Sequence, residues 1–437
     1  MSAPIELAAR AALLIAVAAP LTSLGLLSAA TLASRPLPER RAYQLMSYTF
    51  GVSLFGVLAA WLTSWLGGLS ELTLGLGSIV STSGYTLDLS MKVDRLSFTL
   101  LTLDFALCGL IGVMSGRYLH REEGAHRFAL LINLLAVSVA IVASAAGLDV
   151  LFVGWELLGV SSTLLISFFH RRTSPVEHGL RAFTVYRITD VGLLAAVVTA
   201  HHALHGASFD AINSSAAALP LALPLLVVWG AMGKGAMAPF TGWLPRAMEG
   251  PTPSSAVFYG ALSIHASPFL LMRLAPTLSA HPAALWAVGC IGAVTAVHAA
   301  TTERAQGDIK SALGYASVSQ VGLMWVEVAL GLHTLVLLHM VGHATLRTWQ
   351  IVRSPSLLQE RARLMLISGE DLGARPAHRE ARLPARWEGA LYRLSLERWH
   401  FDDALRALWL KITRALEKLD ALDRALARRL GGGEEGK

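Results

Sequence analysis

The amino-acid sequence predicts an all-α polytopic membrane protein with one broken transmembrane helix and an amphipathic helical tail, and three observations carry that prediction. The 437 residues are 54% hydrophobic and only 15% charged, with a mean hydropathy of +0.53. That balance belongs to chains that cross a bilayer repeatedly, not to soluble multidomain proteins. About eleven apolar stretches follow one another, each near the roughly 20 residues a helix needs to cross the hydrocarbon core. Finally, the stretch Trp229 to Ser263 enters as an apolar helix, carries Lys234 at mid-span, and then meets Pro239, Gly242, Pro245, Gly250, Pro251 and Pro253. Irregular backbone at membrane depth is tolerated only where protein or a water-filled cavity satisfies the freed N–H and C=O groups. A lysine at the bilayer centre costs about 3 kcal/mol on insertion scales, so it normally faces a partner or an ion path. The bland alternative is a lysine that snorkels to the headgroups.

Taken in order, the apolar stretches cover 11–33, 43–68, 96–116, 128–147, 150–169, 182–203, 217–240, 253–276, 283–301, 311–331 and 334–352. The first is too long for a signal-peptide core and lacks a basic n-region, so it reads as a retained span. Arginine and lysine set the orientation, because short cytoplasmic loops are enriched in them. Arg35, Arg40 and Arg41 follow the first stretch, Arg117, Arg121 and Arg127 the third, and Arg171, Arg172 and Arg181 the fifth. Arg246 follows the seventh, and Arg304 and Lys310 the ninth, whereas the alternate loops are nearly free of both residue types. This predicts the N-terminus outside and the C-terminus in the cytoplasm; the membrane expected is a bacterial-type inner membrane.

Residues 72–93 alternate apolar and small polar side chains around a Ser-Gly pair, which predicts an outer hairpin. Residues 353–386 turn rich in Arg, Pro and polar residues and read as a cytoplasmic linker. From Trp387 an amphipathic helix is expected, with Leu405, Trp409, Ile412, Leu416, Leu419, Leu422, Leu426 and Leu430 at helical spacing. Such a helix fits the membrane surface, a partner subunit, or the chain's own cytoplasmic loops. The expected units are therefore 1–95, a core of 96–276, 277–352, the linker 353–386 and the tail 387–437.

Composition also excludes several classes. Cys108 and Cys290 lie inside apolar stretches and suggest neither a disulfide framework nor a metal site. The net charge of +6 comes from loops and tail, without the continuous basic face that nucleic-acid binding needs.

The ionisable residues inside the spans are the functional candidates. Glu156 lies in the fifth stretch, Arg187 and Asp190 share one face of the sixth at i, i+3, and Lys234 lies in the seventh. A carboxylate and an ammonium that approach or separate in a low-dielectric setting shift each other's proton affinity; a static pair that only holds helices together fits the same pattern. The later half adds His265, Glu327, His339 and His343, the last two on one helical face at i, i+4. Histidines suit proton relay, although simple packing also accounts for them, and no HExxH or nearby cysteine supports a metal.

The motifs YLHREEGAHRF, DVLFVGWELLGVSSTLLISFF, RAFTVYRITDVGLL, GAMGKGAMAPFTGWLPRAMEGPTPSSA, GDIKSALGYASVSQVGLM and LHMVGHATLR occur in this order over about residues 90–350. In them the chain resembles the antiporter-like proton-translocating subunits of respiratory complex I, most closely the L-type subunit. That family extends to multisubunit sodium/proton antiporters, membrane hydrogenases and the membrane partners of bacterial inorganic-carbon uptake complexes. The resemblance implies two inverted five-helix repeats, each with a broken helix, of which only the first is complete here. It also implies that Glu156 and Lys234 are the glutamate–lysine pair of a half-channel, with Arg187 and Asp190 as the charged pair between them. Lys310 would then match a lysine at the inner end of the tenth span, and His339 and His343 histidines of a central hydrophilic axis. Tyr259 stands where a histidine is usual, Arg347 stands where a lysine is common, and the second broken helix and later spans are expected to be missing.

The function expected is a proton-conducting subunit of a hetero-oligomeric membrane complex, partnered by other membrane or peripheral subunits and the lipid bilayer. No cofactor of its own and no catalytic redox site are expected. An energy-coupling partner for a soluble inorganic-carbon-hydrating protein, and a scaffold that no longer conducts, are the alternatives.

Overall fold

The computed structural model describes residues 2–82, 85–368 and 385–431. Its elements in order are α1 (Ser2–Leu32), α2 (Glu39–Leu66), β1 (Glu71–Thr82), β2 (Tyr85–Asp94), α3 (Arg95–Tyr118), α4 (Ala125–Ser144), α5 (Leu148–Ile166) and α6 (Thr173–Leu204). There follow α7 (Phe209–Ser214), α8 (Ala222–Lys234), α9 (Trp243–Arg246), α10 (Thr252–Val257), α11 (Ser263–Arg273), α12 (Ala275–Ala280) and α13 (Pro282–Arg304). The last are α14 (Ile309–Ala329), α15 (His333–Ser368), α16 (Ala385–Leu396) and α17 (Phe401–Gly431).

The protein is an all-α polytopic membrane protein. Among the described residues, eight helical segments are long and apolar enough to cross a bilayer: Pro4–Leu32, Glu39–Leu66, Arg95–Tyr118, Ala125–Ser144, Leu148–Ile166, Thr173–Leu204, Thr252–Arg273 and Pro282–Arg304. The other three expected stretches fall on α8, α14 and α15. The first of these stops short at Lys234, while the other two carry polar side chains such as Gln320, Glu327, His339, His343 and Arg347 that dilute their apolar character. Thr252–Arg273, which joins α10 to α11 through a π turn at Phe258–Leu262, is the central segment: 94% of its apolar window is buried, against 28% for Pro4–Leu32.

The expected outer hairpin is present. β1 and β2 pair antiparallel from Glu71 opposite Asp94 to Thr82 opposite Tyr85, with irregular register between Gly75 and Val80; the Ser-Gly pair itself lies outside the described residues. β2 ends on Asp94, whose carboxylate caps α3 by accepting from the Ser97 amide at 3.0 Å. Arg273, at the end of α11, donates to both Asp94 oxygens (2.5 and 3.2 Å) and to Ser97 Oγ at 2.6 Å. This bidentate clamp ties the hairpin and α3 to the central segment. Burial alone would raise the Asp94 carboxyl, but the Arg273 guanidinium outweighs it and holds the group below the usual aspartate range.

At the other end the structure departs from expectation. α15 continues through the first part of the expected linker as far as Ser368, and residues 369–384 lie outside the described residues. Among the described residues the tail forms two helices, α16 and α17, joined by a turn at Arg398–His400.

α6 and α8 pack closely enough that Gly233 lies against Thr189. A Cβ at Gly233 would overlap Thr189 Oγ1 and lie 2.9 Å from its Cβ. Gly233→Ala should therefore destabilise the protein by about 1–3 kcal/mol, the cost of overpacking a tight core. Gly25, with open space where its Cβ would stand, supplies the control: Gly25→Ala should stay within about 0.5 kcal/mol of wild type. Thermal unfolding of the detergent-solubilised protein measures both.

Candidate functional site

The site begins where α8 stops. The amide of Ala236 donates to the Gly233 carbonyl at 3.1 Å and that of Met237 to the Met232 carbonyl at 2.9 Å, with Ala236 in the left-handed region at φ 53. This double closure is the Schellman arrangement, and it ends the helix by turning its last carbonyls inward. Alanine takes the position that glycine usually occupies, at a cost of about 1–2 kcal/mol. The indole of Trp243, just past the break, adds a 3.0 Å hydrogen bond to the same Gly233 carbonyl. Thr295 of α13 accepts from the Ala238 amide at 2.9 Å. Packed side chains thus satisfy the backbone groups that the break exposes, as an irregular segment at membrane depth requires.

Lys234 is the last residue of α8, and its side chain is fully buried. The ammonium donates to both oxygens of Asp190 (3.2 and 3.1 Å) and lies over the rings of Trp155 at 4.8 Å and Tyr186 at 4.7 Å. Trp155 Nε1 donates to Asp190 Oδ1 at 2.7 Å, so α5, α6 and α8 all contribute to one buried ion pair. Glu156 does not reach Lys234 as a direct partner. It bonds to Arg187, which lies 3.5 Å from Asp190. The expected glutamate and lysine stand at the two ends of a row of four charges, Glu156, Arg187, Asp190 and Lys234. From one face of α6, Arg187 meets Glu156 of α5, and Asp190 meets both Trp155 of α5 and Lys234 of α8.

A second polar group lies across the central segment. His265 Nε2 is 3.0 Å from His343 Nδ1, joining α11 to α15. His339 bonds to Glu327 and to Gln320, each at 2.9 Å, joining α15 to α14. The two imidazoles on α15 have centroids 6.5 Å apart. The structure therefore brings His265, His343, His339 and Glu327 into one file.

Lys310 stands apart from this file, at the other end of α14. It donates to Thr252 Oγ1 at 3.2 Å, and Thr252 in turn meets the Tyr118 hydroxyl at 2.8 Å. Tyr259 is buried against Phe258 and Trp243, with centroids 4.2 and 6.1 Å away, and Arg347 is buried on α15. Between the break and the file, Ser267 accepts from Trp325 Nε1 at 2.9 Å.

Several participants are not among the sequence candidates. Trp155 and Tyr186 read in sequence as ordinary apolar positions. Asp104 of α3, a buried acid whose Oδ1 lies 3.4 Å from Cys108 Sγ, was open to the same intramembrane-charge rule. Asp402, in the tail, bonds to Arg181 of α6 and Arg246 of α9.

Removing one member of a buried pair strands the other charge and costs about 3–5 kcal/mol. Lys234→Met and Asp190→Asn should each destabilise by that amount, and the double variant by clearly less than their sum. A second cycle pairing Lys234→Met with Glu156→Gln should show weaker coupling. Equilibrium unfolding of the five variants tests the assignment, and equal coupling in both cycles would contradict it.

Residues 145–367, just over half of the chain, match the family described as NADH:quinone oxidoreductase/Mrp antiporter, TM. Similar curated proteins include NADH-ubiquinone oxidoreductase chain 5 of Cryptococcus neoformans var. grubii, 30% identical over 63% of this chain and 42% of that protein. Chain 5 of Schizophyllum commune is 35% identical over 56% of this chain and 36% of its own length. NADH-quinone oxidoreductase subunit L of Rhodobacter capsulatus is 30% identical over 61% and 41%. The chain thus spans less than half the length of these relatives. Among solved structures, the Mrp complex from Dietzia sp. DQ12-45-1b superposes with a TM-score of 0.65 at 22% identity, over 80% of this chain and 37% of that one. The membrane-bound sulfane sulfur reductase, an archaeal respiratory membrane complex, superposes at 0.66 and 16% identity, over 79% and 70%. At those identities the two structures establish the shared fold. The chain belongs to the NADH:quinone oxidoreductase/Mrp antiporter transmembrane family.

Proposed function

We propose that this chain is a proton-conducting subunit of a hetero-oligomeric membrane complex, set in a bacterial-type inner membrane with its N-terminus outside and its C-terminus in the cytoplasm. The observation that carries the reading is the Lys234 ammonium, fully buried beside a break in its helix and paired with a carboxylate that a second cation also approaches. A lysine can cycle between ammonium and amine when its surroundings change. With Arg187 on Glu156, Asp190 is free to hold Lys234 charged. When Arg187 swings to Asp190, the ammonium loses its counter-charge in a dry setting and releases its proton. The file of His265, His343, His339 and Glu327 offers groups suited to receive and pass it. No redox step is assigned to this chain. The exposed apolar side chains of α17, among them Leu408, Trp409, Ile412, Leu416, Leu419, Leu422 and Leu426, suit the docking of a peripheral subunit.

Lys234→Arg keeps the charge but cannot release the proton, and Lys234→Met keeps bulk alone. Both should lower proton flux in vesicles by at least about a hundredfold, the lower range of a lost proton-transfer group. Glu156→Gln should lower flux in the same direction while the protein still inserts. A Lys234→Arg protein that conducts like wild type would end the proton-carrier reading.

A further inference from the structure

The turn joining α16 to α17 has an unusual backbone and an unusual position. Arg398, Trp399 and His400 all sit in the left-handed region, at φ 53, 55 and 56. Non-glycine residues pay for that conformation, so a run of three persists only where surrounding contacts determine it.

His400 pairs with its neighbours Glu397 and Asp403, while the other contacts lead to the break. Trp399 and Phe401 pack against the His298 imidazole of α13, with centroids 5.5 and 4.8 Å away. His298 Nε2 in turn meets Thr241 Oγ1 at 3.0 Å, inside the segment that follows Lys234. Asp402, in the first turn of α17, accepts from Arg181 at 2.6 Å and from Arg246 at 2.8 Å, with Arg398 at 3.5 Å. Arg246 also donates to the Gly242 carbonyl at 2.7 Å.

Gly242 permits the approach: a Cβ there would overlap the Asp402 carboxylate. Burial would raise the Asp402 carboxyl, but Arg246, Arg181 and Arg398 together hold it below the usual aspartate range. One carboxylate thus gathers guanidinium groups from α6, from the break and from its own turn. Beyond it α17 runs on with its apolar side chains exposed.

We propose that Arg398–Asp402 is a seal over the tail-facing end of the break, and that Asp402 is the positioning residue holding Arg246 and Arg181 in the closed arrangement. Resting on the conduction reading above, the seal closes the cytoplasmic mouth of the path. A displacement of α17 is transmitted directly to it. The tail then does more than attach partners: it sets whether water reaches the segment between Lys234 and α9.

The test uses the full chain in lipid vesicles, with amide deuterium exchange of residues 240–247 and proton flux read on the same preparations. Asp402→Asn keeps shape and removes charge, whereas Gly242→Ala disturbs the same contact from the opposite side. A lost charge-assisted hydrogen bond corresponds to about tenfold or more in a local opening equilibrium. Both variants should raise exchange by that factor and raise flux, while Asp402→Glu, which retains the charge, stays nearer to wild type. Unchanged exchange in both variants overturns the proposal. Where the wild type conducts, raised exchange with flux unchanged in the variants also overturns it, because the turn is then only an anchor. Raised exchange in a protein that conducts in no form supports the seal and removes the conduction reading instead.

Discussion

The structure depends on one buried ion pair, Lys234 with Asp190. Charges removed from water need both a counter-charge and a full set of hydrogen bonds. Three helices are arranged to supply them. Asp190 comes from α6 and Trp155, which donates to the carboxylate, from α5. Tyr186 adds a second ring face beside the ammonium. The glycine at 233 lets α6 and α8 approach until the pair can form. A longer side chain there would separate the helices that the two charges require together.

The break in α8 is the complement of that pair. A continuous helix would carry the chain past Lys234 in apolar surroundings; the Schellman closure at Ala236 and Met237 turns it aside instead. The indole of Trp243 and the hydroxyl of Thr295 then take up exposed backbone groups. The same turn brings Thr241, Gly242 and Arg246 to the surface where the tail docks. The buried charge, the interrupted helix and the docked tail are therefore parts of one assembly, with contacts running from Glu156 through Arg187, Asp190 and Lys234 to the break, and from the break to Asp402.

Sequence reasoning reached some of this and not the rest, for identifiable reasons. Hydropathy and loop charge located the helical segments, and the i, i+3 spacing placed Arg187 and Asp190 on one face. It could not say which of the two meets Lys234, because that depends on the rotation of α6 between α5 and α8. Pro239 marked a broken helix, yet the helix ends five residues earlier, at Lys234, with Gly235 as its C-cap and the left-handed position taken by Ala236. The apolar repeat of the tail was visible from Leu405 onward. The seat of Asp402 was not, since its partners Arg181 and Arg246 are far away in sequence and no periodicity connects them. Lys310, at the start of α14, lies with Thr252 and Tyr118, apart from the histidine file.

In the proposed mechanism Arg187 is the moving part: it contacts both Glu156 and Asp190, and its position would set whether Lys234 keeps its proton. Proton flux through vesicles carrying Arg187→Met, with membrane insertion measured on the same sample, tests this most directly. The Lys234–Asp190 pair should survive that substitution, so the protein should insert normally. Flux should fall by at least about tenfold, because a lost shared charge-assisted bond removes the drive that displaces the proton. An Arg187→Met protein that inserts and conducts at the wild-type rate would contradict the switch.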